Sequence, residues 1–313
     1  MPGPGELRVS LSADCTGLAC RVLHRLDSPP GHRFGTNRNT PIAPRISTIA
    51  TNRENDHMFP ASPGNADRLF KDALRARTRK SYWRRVVVLQ KIGNREVFDA
   101  AAHALTSDAA QRRALGVDVL SELGFLSNQP PFKDDSVPLL LELLGREHDP
   151  SVKYAAIAAL GRLRTGQAIP KLVSLATDHS DQVRLALARE LKWCTWASGE
   201  ETPDPRVTAT LIRLSSDRVA AIRDWATFSL AGSDEDTPEI RAALWRRVRD
   251  RHYDARMEAF RGLARRRDTD ALEPMKSAVQ SIGPKRLGSW VVNDLVEFAR
   301  LANDLALVEL LAS

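Results

Sequence analysis

The sequence predicts an all-α fold, a right-handed α-solenoid of stacked helical hairpins, and three observations carry that expectation. Aromatic residues make up 6% of the 313-residue chain, against abundant Ala, Leu and Arg, which argues against a β-sandwich core. A basic residue is followed seven positions later by an aliphatic one in six places: Arg85/Ile92, Arg113/Leu120, Lys153/Leu160, Arg184/Leu191, Arg223/Leu230 and Arg256/Leu263. A second amphipathic segment lies beside each anchored one, so the unit is a helix pair that cannot cover its own apolar faces and must stack.

Residues 1–65 are set apart. Up to His57 the chain holds Pro2, Pro4, Pro29, Pro30, Pro41 and Pro44, no lysine and no sustained helical or strand period. Such a stretch buries too little apolar surface to offset its ordering entropy, and a disordered leader is expected, with Met58 as an alternative start. Residues 66–313 are expected to form one repeat domain of about six to seven hairpins.

Within that domain the anchors stand 28, 40, 31, 39 and 33 residues apart, so the loops vary while the helix is constant. The position four after the anchor is usually apolar (Val117, Ile157, Ala188, Phe260), which draws a stripe along one helical face. An acid stands six positions before the anchor at Glu147, Asp178, Asp217 and Asp250. The other helix of each pair is read at Glu96–Leu105, Val137–Leu144, Ile169–Ala176, Val207–Leu214, Ile240–Val248 and Leu272–Val279. Pro138, Pro170, Pro205, Pro238 and Pro274 mark starts, because the first helical turn has no acceptor for the missing N–H; Asp204 and Thr237 are the expected N-caps. Ser289 to Leu311 keeps the helical pattern without a basic anchor, as a terminal cap does.

The segments VKYAAIAALGRL (Val152 to Leu163), IRDWATFSLAGSDEDTPEIRAALWRRVRD (Ile222 to Asp250) and DARMEAFRGLARRRD (Asp254 to Asp268) resemble bacterial HEAT-repeat proteins of the phycobilisome-lyase type, over residues 80 to 313. The resemblance implies a bond between the loop acid and the basic anchor of neighbouring repeats. That role falls to Asp178, Asp217 and Asp250 and to Arg184, Arg223 and Arg256.

Chemistry is sparse. No catalytic residue, metal site or cofactor is assigned. HEAT-repeat deoxyhypusine hydroxylases, similar in architecture, need His-Glu dipeptides to hold two irons, and none of the seven histidines here precedes Glu. Bilin-lyase-like activity would need a pigment pocket that nothing specifies. Glycosylase-like activity would place Trp and Asp on one helix face in a basic groove, a spacing found at Trp290/Asp294 in the cap. The expected role of Trp225, Trp245 and Trp290 is packing. Cys15, Cys20 and Cys194 form neither a disulfide framework nor a zinc ligand set; no run reaches 18 apolar residues, and Arg8, Asp14 and Arg21 interrupt any signal-peptide core. A cytoplasmic location without membrane contact is the expectation.

The charge is uneven. The chain carries +7 at neutral pH, and the stretch from Arg241 to Arg267 alone holds ten arginines against three acids. A second basic run spans Arg68 to Arg85. Arg246, Arg247, Arg249, Arg265, Arg266 and Arg267 are the candidate contacts for an anionic partner, since the guanidinium fork suits carboxylate and phosphate. Two functions follow: a non-catalytic scaffold or adaptor binding another protein, for which an acidic partner suits the arginines, or a nucleic-acid-binding solenoid using its Arg patches.

Overall fold

A computed structural model describes residues 65–123, 132–197, 200–201, 204–284 and 287–312. The leader expected at residues 1–65, with Cys15, Cys20 and Met58, lies outside the described residues but for its last position.

The described chain is a run of helices: α1 (Asn65–Leu74), α2 (Arg79–Ile92), α3 (Arg95–Ala104), α4 (Ala110–Leu120), α5 (Lys133–Arg146), α6 (Pro150–Arg162), α7 (Ile169–Ser174), α8 (Asp181–Glu190), α9 (Pro205–Leu214), α10 (Ala220–Ala231), α11 (Pro238–Arg247), α12 (Tyr253–Arg265), α13 (Leu272–Ile282), α14 (Ser289–Leu301) and α15 (Leu305–Ala312). It is an α-solenoid. The strand structure among the described residues is a two-residue antiparallel ladder, β1 (Trp196–Ala197) with β2 (Glu200–Glu201), following a 3₁₀ turn at Leu191–Thr195. This insertion between α8 and α10 accounts for the 39-residue anchor spacing there.

Local chemistry sets the helix starts. Thr78 and Ser81 form a reciprocal capping box on α2. Asn94, Asp149, Asp204 and Thr237 cap α3, α6, α9 and α11 through side-chain oxygens that accept first-turn N–H groups. Pro170, Pro205 and Pro238 occupy first-turn positions as expected. Pro138 does not mark a start: α5 begins five residues earlier, behind Phe132, and Pro138 lies inside it. The acidic pair Asp134 and Asp135 in the first turn favours that earlier start through the helix dipole.

Helices pair in sequence, and the second helices α2, α4, α6, α8, α10, α12 and α14 pack in series, each on the next. The first helices lie much less closely on their successors, so the second helices form the continuous packed layer of the stack. Their apolar stripe is the core: Leu89, Leu115, Leu120, Ile157, Leu160, Leu187 and Phe260 are fully buried. Close approach needs small residues. A Cβ at Gly116 would stand 2.7 Å from the Ala101 carbonyl oxygen, and one at Gly262 would stand 2.8 Å from both Leu244 methyls. No described helix is long and apolar enough to cross a membrane.

Candidate functional site

Along the loops that join the helices of each pair, basic anchors and acids form a ladder. Arg113 donates Nε and Nη2 to Glu147, at 2.6 and 2.8 Å. Lys153 donates to Asp178 at 2.8 Å. Arg184 grips Asp217 at 2.7 and 3.3 Å, and Arg223 grips Asp250 at 2.7 and 2.9 Å. Each rung thus joins an anchor to the acid of the following hairpin.

Each acid also accepts backbone N–H groups of its own loop: His148 and Asp149 for Glu147, Ser180 for Asp178, Val219 for Asp217, His252 for Asp250. Burial pushes the Asp250 carboxyl up, but the bonds from Arg223 and the His252 amide, with the charges of Arg223 and Arg247, outweigh it and bring it to about 2. Glu147 and Asp178 are likewise held below the ordinary carboxylate range, by bonds from Arg113 and Lys153 and from loop amides that outweigh burial.

Both ends of the ladder differ. Arg85 turns back to the Ser81 carbonyl of its own helix. Arg256 donates Nη1 to the Asp250 carbonyl at 2.8 Å and, among the described residues, meets no acid of a following hairpin, which corrects the expectation that it pairs across repeats. The cause is in the sequence: the connection ahead of α14, residues 283–288, reads Gly-Pro-Lys-Arg-Leu-Gly.

Beside Arg256 lies a groove of about 920 Å³ between α11 and α13 with α12 as its floor. Arg246, Arg249 and Arg256 bring three cations to it; Trp245 and Ile282 supply apolar surface, and no acid lines it among the described residues. Arg246 and Arg249 are exposed. Trp245 is held by a 3.1 Å bond from its indole N–H to Asp268. Such a groove can take an anionic ligand with an apolar neighbour; it holds no nucleophile–base pair.

Residues 113–192 and 137–231 match the family model described as HEAT repeats. The likeness to HEAT repeats thus spans residues 113–231. The narrower phycobilisome-lyase-type likeness and a bacterial source lie beyond that match. Among solved structures, YibA of Escherichia coli is 19% identical with a TM-score of 0.54, over 80% of this chain and 98% of its own, and shares the fold. An engineered protein is 17% identical with a TM-score of 0.44, over 79% of this chain and 72% of its own. Human deoxyhypusine hydroxylase, in complex with glycerol, is 16% identical with a TM-score of 0.34, over 78% of this chain and 96% of its own. No curated protein matches the chain.

In the solenoid the six candidate arginines do not share one surface. Arg246 and Arg249 reach the groove. Arg247 turns inward to Asp250 at 2.8 Å. Arg265, Arg266 and Arg267 stand at the far end of α12, about 14 Å along its axis from Arg256. There Arg265 pairs with Asp234 at 3.1 Å and Arg267 is exposed in a left-handed turn with φ 51°. Arg266 is buried, which removes it from any binding surface. Its Nη2 donates to the carbonyls of Leu230, Ser233 and Glu235 and its Nη1 to Gly262, and burial pulls it down to about 10.

Trp290 and Asp294 both turn onto α12. Trp290 donates to Glu258 at 3.3 Å and Asp294 meets Arg261 at 3.5 Å, while Arg261 also holds Glu258 at 2.7 Å. Trp225 packs under the Arg189 guanidinium, 4.9 Å from the ring centre. Two buried carboxylates of the second helices escaped sequence reasoning, Asp118 and Glu258. Neither sits at the anchor's offset, and each has a partner on another hairpin, Tyr82 for Asp118 and Trp290 for Glu258; the legible signal was only an acid inside an apolar helix.

Proposed function

We propose that the chain is a non-catalytic scaffold or adaptor that binds an acidic protein partner in the groove between α11 and α13, in the cytoplasm. The observation that supports this reading is the convergence of Arg246, Arg249 and Arg256 on one groove with apolar walls and no lining acid. HEAT stacks lend extended surfaces to partners, and guanidinium groups flanked by aromatic rings are favoured anchors at interfaces. The nucleic-acid reading draws less support, because Arg247 and Arg266 are spent on internal bonds rather than on a shared basic face. Affinity purification with the native chain and with an R246A/R249A variant tests the proposal. A stoichiometric protein retained by the native chain and lost by the variant is the expected result. Equal recovery by both would place the interface elsewhere, and recovery of nucleic acid instead would favour the other class.

A further inference from the structure

We infer that Arg256 is an open last rung of the ladder, completed by the carboxylate of an Asp or Glu on a partner segment lying in the groove; the inference rests on the groove being the docking face. In the three bidentate rungs the guanidinium is oriented from behind. Nη1 donates to a carbonyl six residues earlier, Ser107 for Arg113, Asp178 for Arg184 and Asp217 for Arg223, at 2.8 to 3.0 Å. That leaves Nε and Nη2 facing the next hairpin, where they take both oxygens of an acid. Arg256 is held the same way, Nη1 to the Asp250 carbonyl at 2.8 Å. Its Nε and Nη2 therefore present the same fork, already oriented, and a fixed fork loses less entropy on binding than a free one.

The intramolecular acid is missing because residues 283–288 hold none, and that stretch adds Lys285 and Arg286 instead. Where the other rungs meet a loop carboxylate, Arg256 lines the groove with Arg246 and Arg249. The three closed bidentate rungs all take a planar carboxylate, and the same groove presents Trp245 and Ile282 as its half-exposed apolar lining. The occupant that fits is an acidic peptide in which Glu or Asp stands next to an apolar residue.

The test uses the full chain and fluorescence anisotropy with three probes: a labelled dodecapeptide of repeating Glu-Glu-Leu, its Gln-Gln-Leu counterpart and a random DNA duplex. The acidic peptide is expected to bind and the neutral one not. R256Q should weaken binding about tenfold or more, and R256K should fall between, as a single-donor rung like Lys153–Asp178 would. R265A should bind as the native chain does. Binding unchanged in R256Q but lost in R246A/R249A would overturn the open rung while leaving the groove as the docking face. Binding unchanged in all of these variants would overturn both. Duplex binding that depends on Arg256, with no peptide binding, would make the ligand a phosphate and overturn the inference. Should R256Q lower the melting temperature, the ¹⁵N shift of Arg256 Nε in the native chain decides: a resonance unmoved by the acidic peptide overturns it.

Discussion

Arg223 donates Nε and Nη2 to the two carboxylate oxygens of Asp250, at 2.7 and 2.9 Å, across the boundary between consecutive hairpins. The Asp250 side chain is 2% exposed and also takes Arg247 at 2.8 Å, so one carboxylate neutralises two guanidinium groups. D250N leaves both without a counter-charge. The expected cost is about 3 kcal/mol, read as a lower urea midpoint at unchanged slope. The pH dependence has a definite sign. Asp250 is held near 2 when folded, below its unfolded value near 4, so its contribution is present above about pH 4 and is lost as pH falls through 2. D250N should therefore flatten part of the acid limb; an acid limb identical to the native one would show that the rung contributes nothing.

Arg266 should behave as a core residue. It ties the end of α12 to α10 and the turn after it through the carbonyls of Leu230, Ser233 and Glu235. R266A removes that donor from the part-buried Ser233 and Glu235 carbonyls, while Leu230 keeps the Ser233 N–H, an expected loss of about 2 kcal/mol, and R266K recovers little because one ammonium cannot span the same fork. R265A and R267A, at exposed positions, should leave the melting temperature within about 1 °C of native. Thermal melts of the four variants separate the three adjacent arginines, and a native-like R266A would contradict the buried assignment.

What could be read from the sequence followed period, and what could not depended on depth. The seven-residue offset from anchor to aliphatic position and the acid six residues earlier are local, so the repeat, the helix pairs and the ladder residues Asp178, Arg184, Asp217, Arg223 and Asp250 were all visible as a pattern. Burial is not local. Arg265, Arg266 and Arg267 are consecutive and chemically identical in sequence. Only the turn after α10 decides that the middle one goes inside. The open rung at Arg256 was masked by the same regularity, because pattern matching credits each anchor with a partner, whereas the loop that should provide it reads Gly-Pro-Lys-Arg-Leu-Gly. Pro138 misled for a related reason: the charge of Asp134 and Asp135 outweighed proline as a start signal.

Gly116 tests the packing of the early hairpins. Alanine in a helix interior ordinarily gains about 1 kcal/mol over glycine. At this position the added methyl would stand 2.7 Å from the Ala101 carbonyl oxygen, a backbone atom, and 3.0 Å from a Leu105 methyl. α3 and α4 must separate to admit it, so G116A is expected to cost a net 1–3 kcal/mol. Denaturant melts of G116A measure it; a stabilised variant would mean that the two helices separate freely.

Asp118 gives the opposite pH signature to the ladder. It is buried on α4 and accepts the Tyr82 hydroxyl at 2.7 Å. Burial raises its carboxyl to about 6; the Tyr82 bond and the Arg162 charge oppose that rise, and the Glu122 charge adds to it. Folded Asp118 thus holds its proton through a range in which the unfolded chain has released it, and native stability falls as pH rises from about 4 to about 6. Above that window the folded chain carries a buried carboxylate at a cost of about 2–3 kcal/mol. In D118N the Tyr82 hydroxyl keeps an acceptor in the amide carbonyl, and no charge forms. The variant should match the native chain at pH 4 and exceed it by that amount at pH 7.5, in melts taken across the range. Parallel profiles would mean that Asp118 is ionised throughout and that Arg162 and Tyr82 compensate its burial in full.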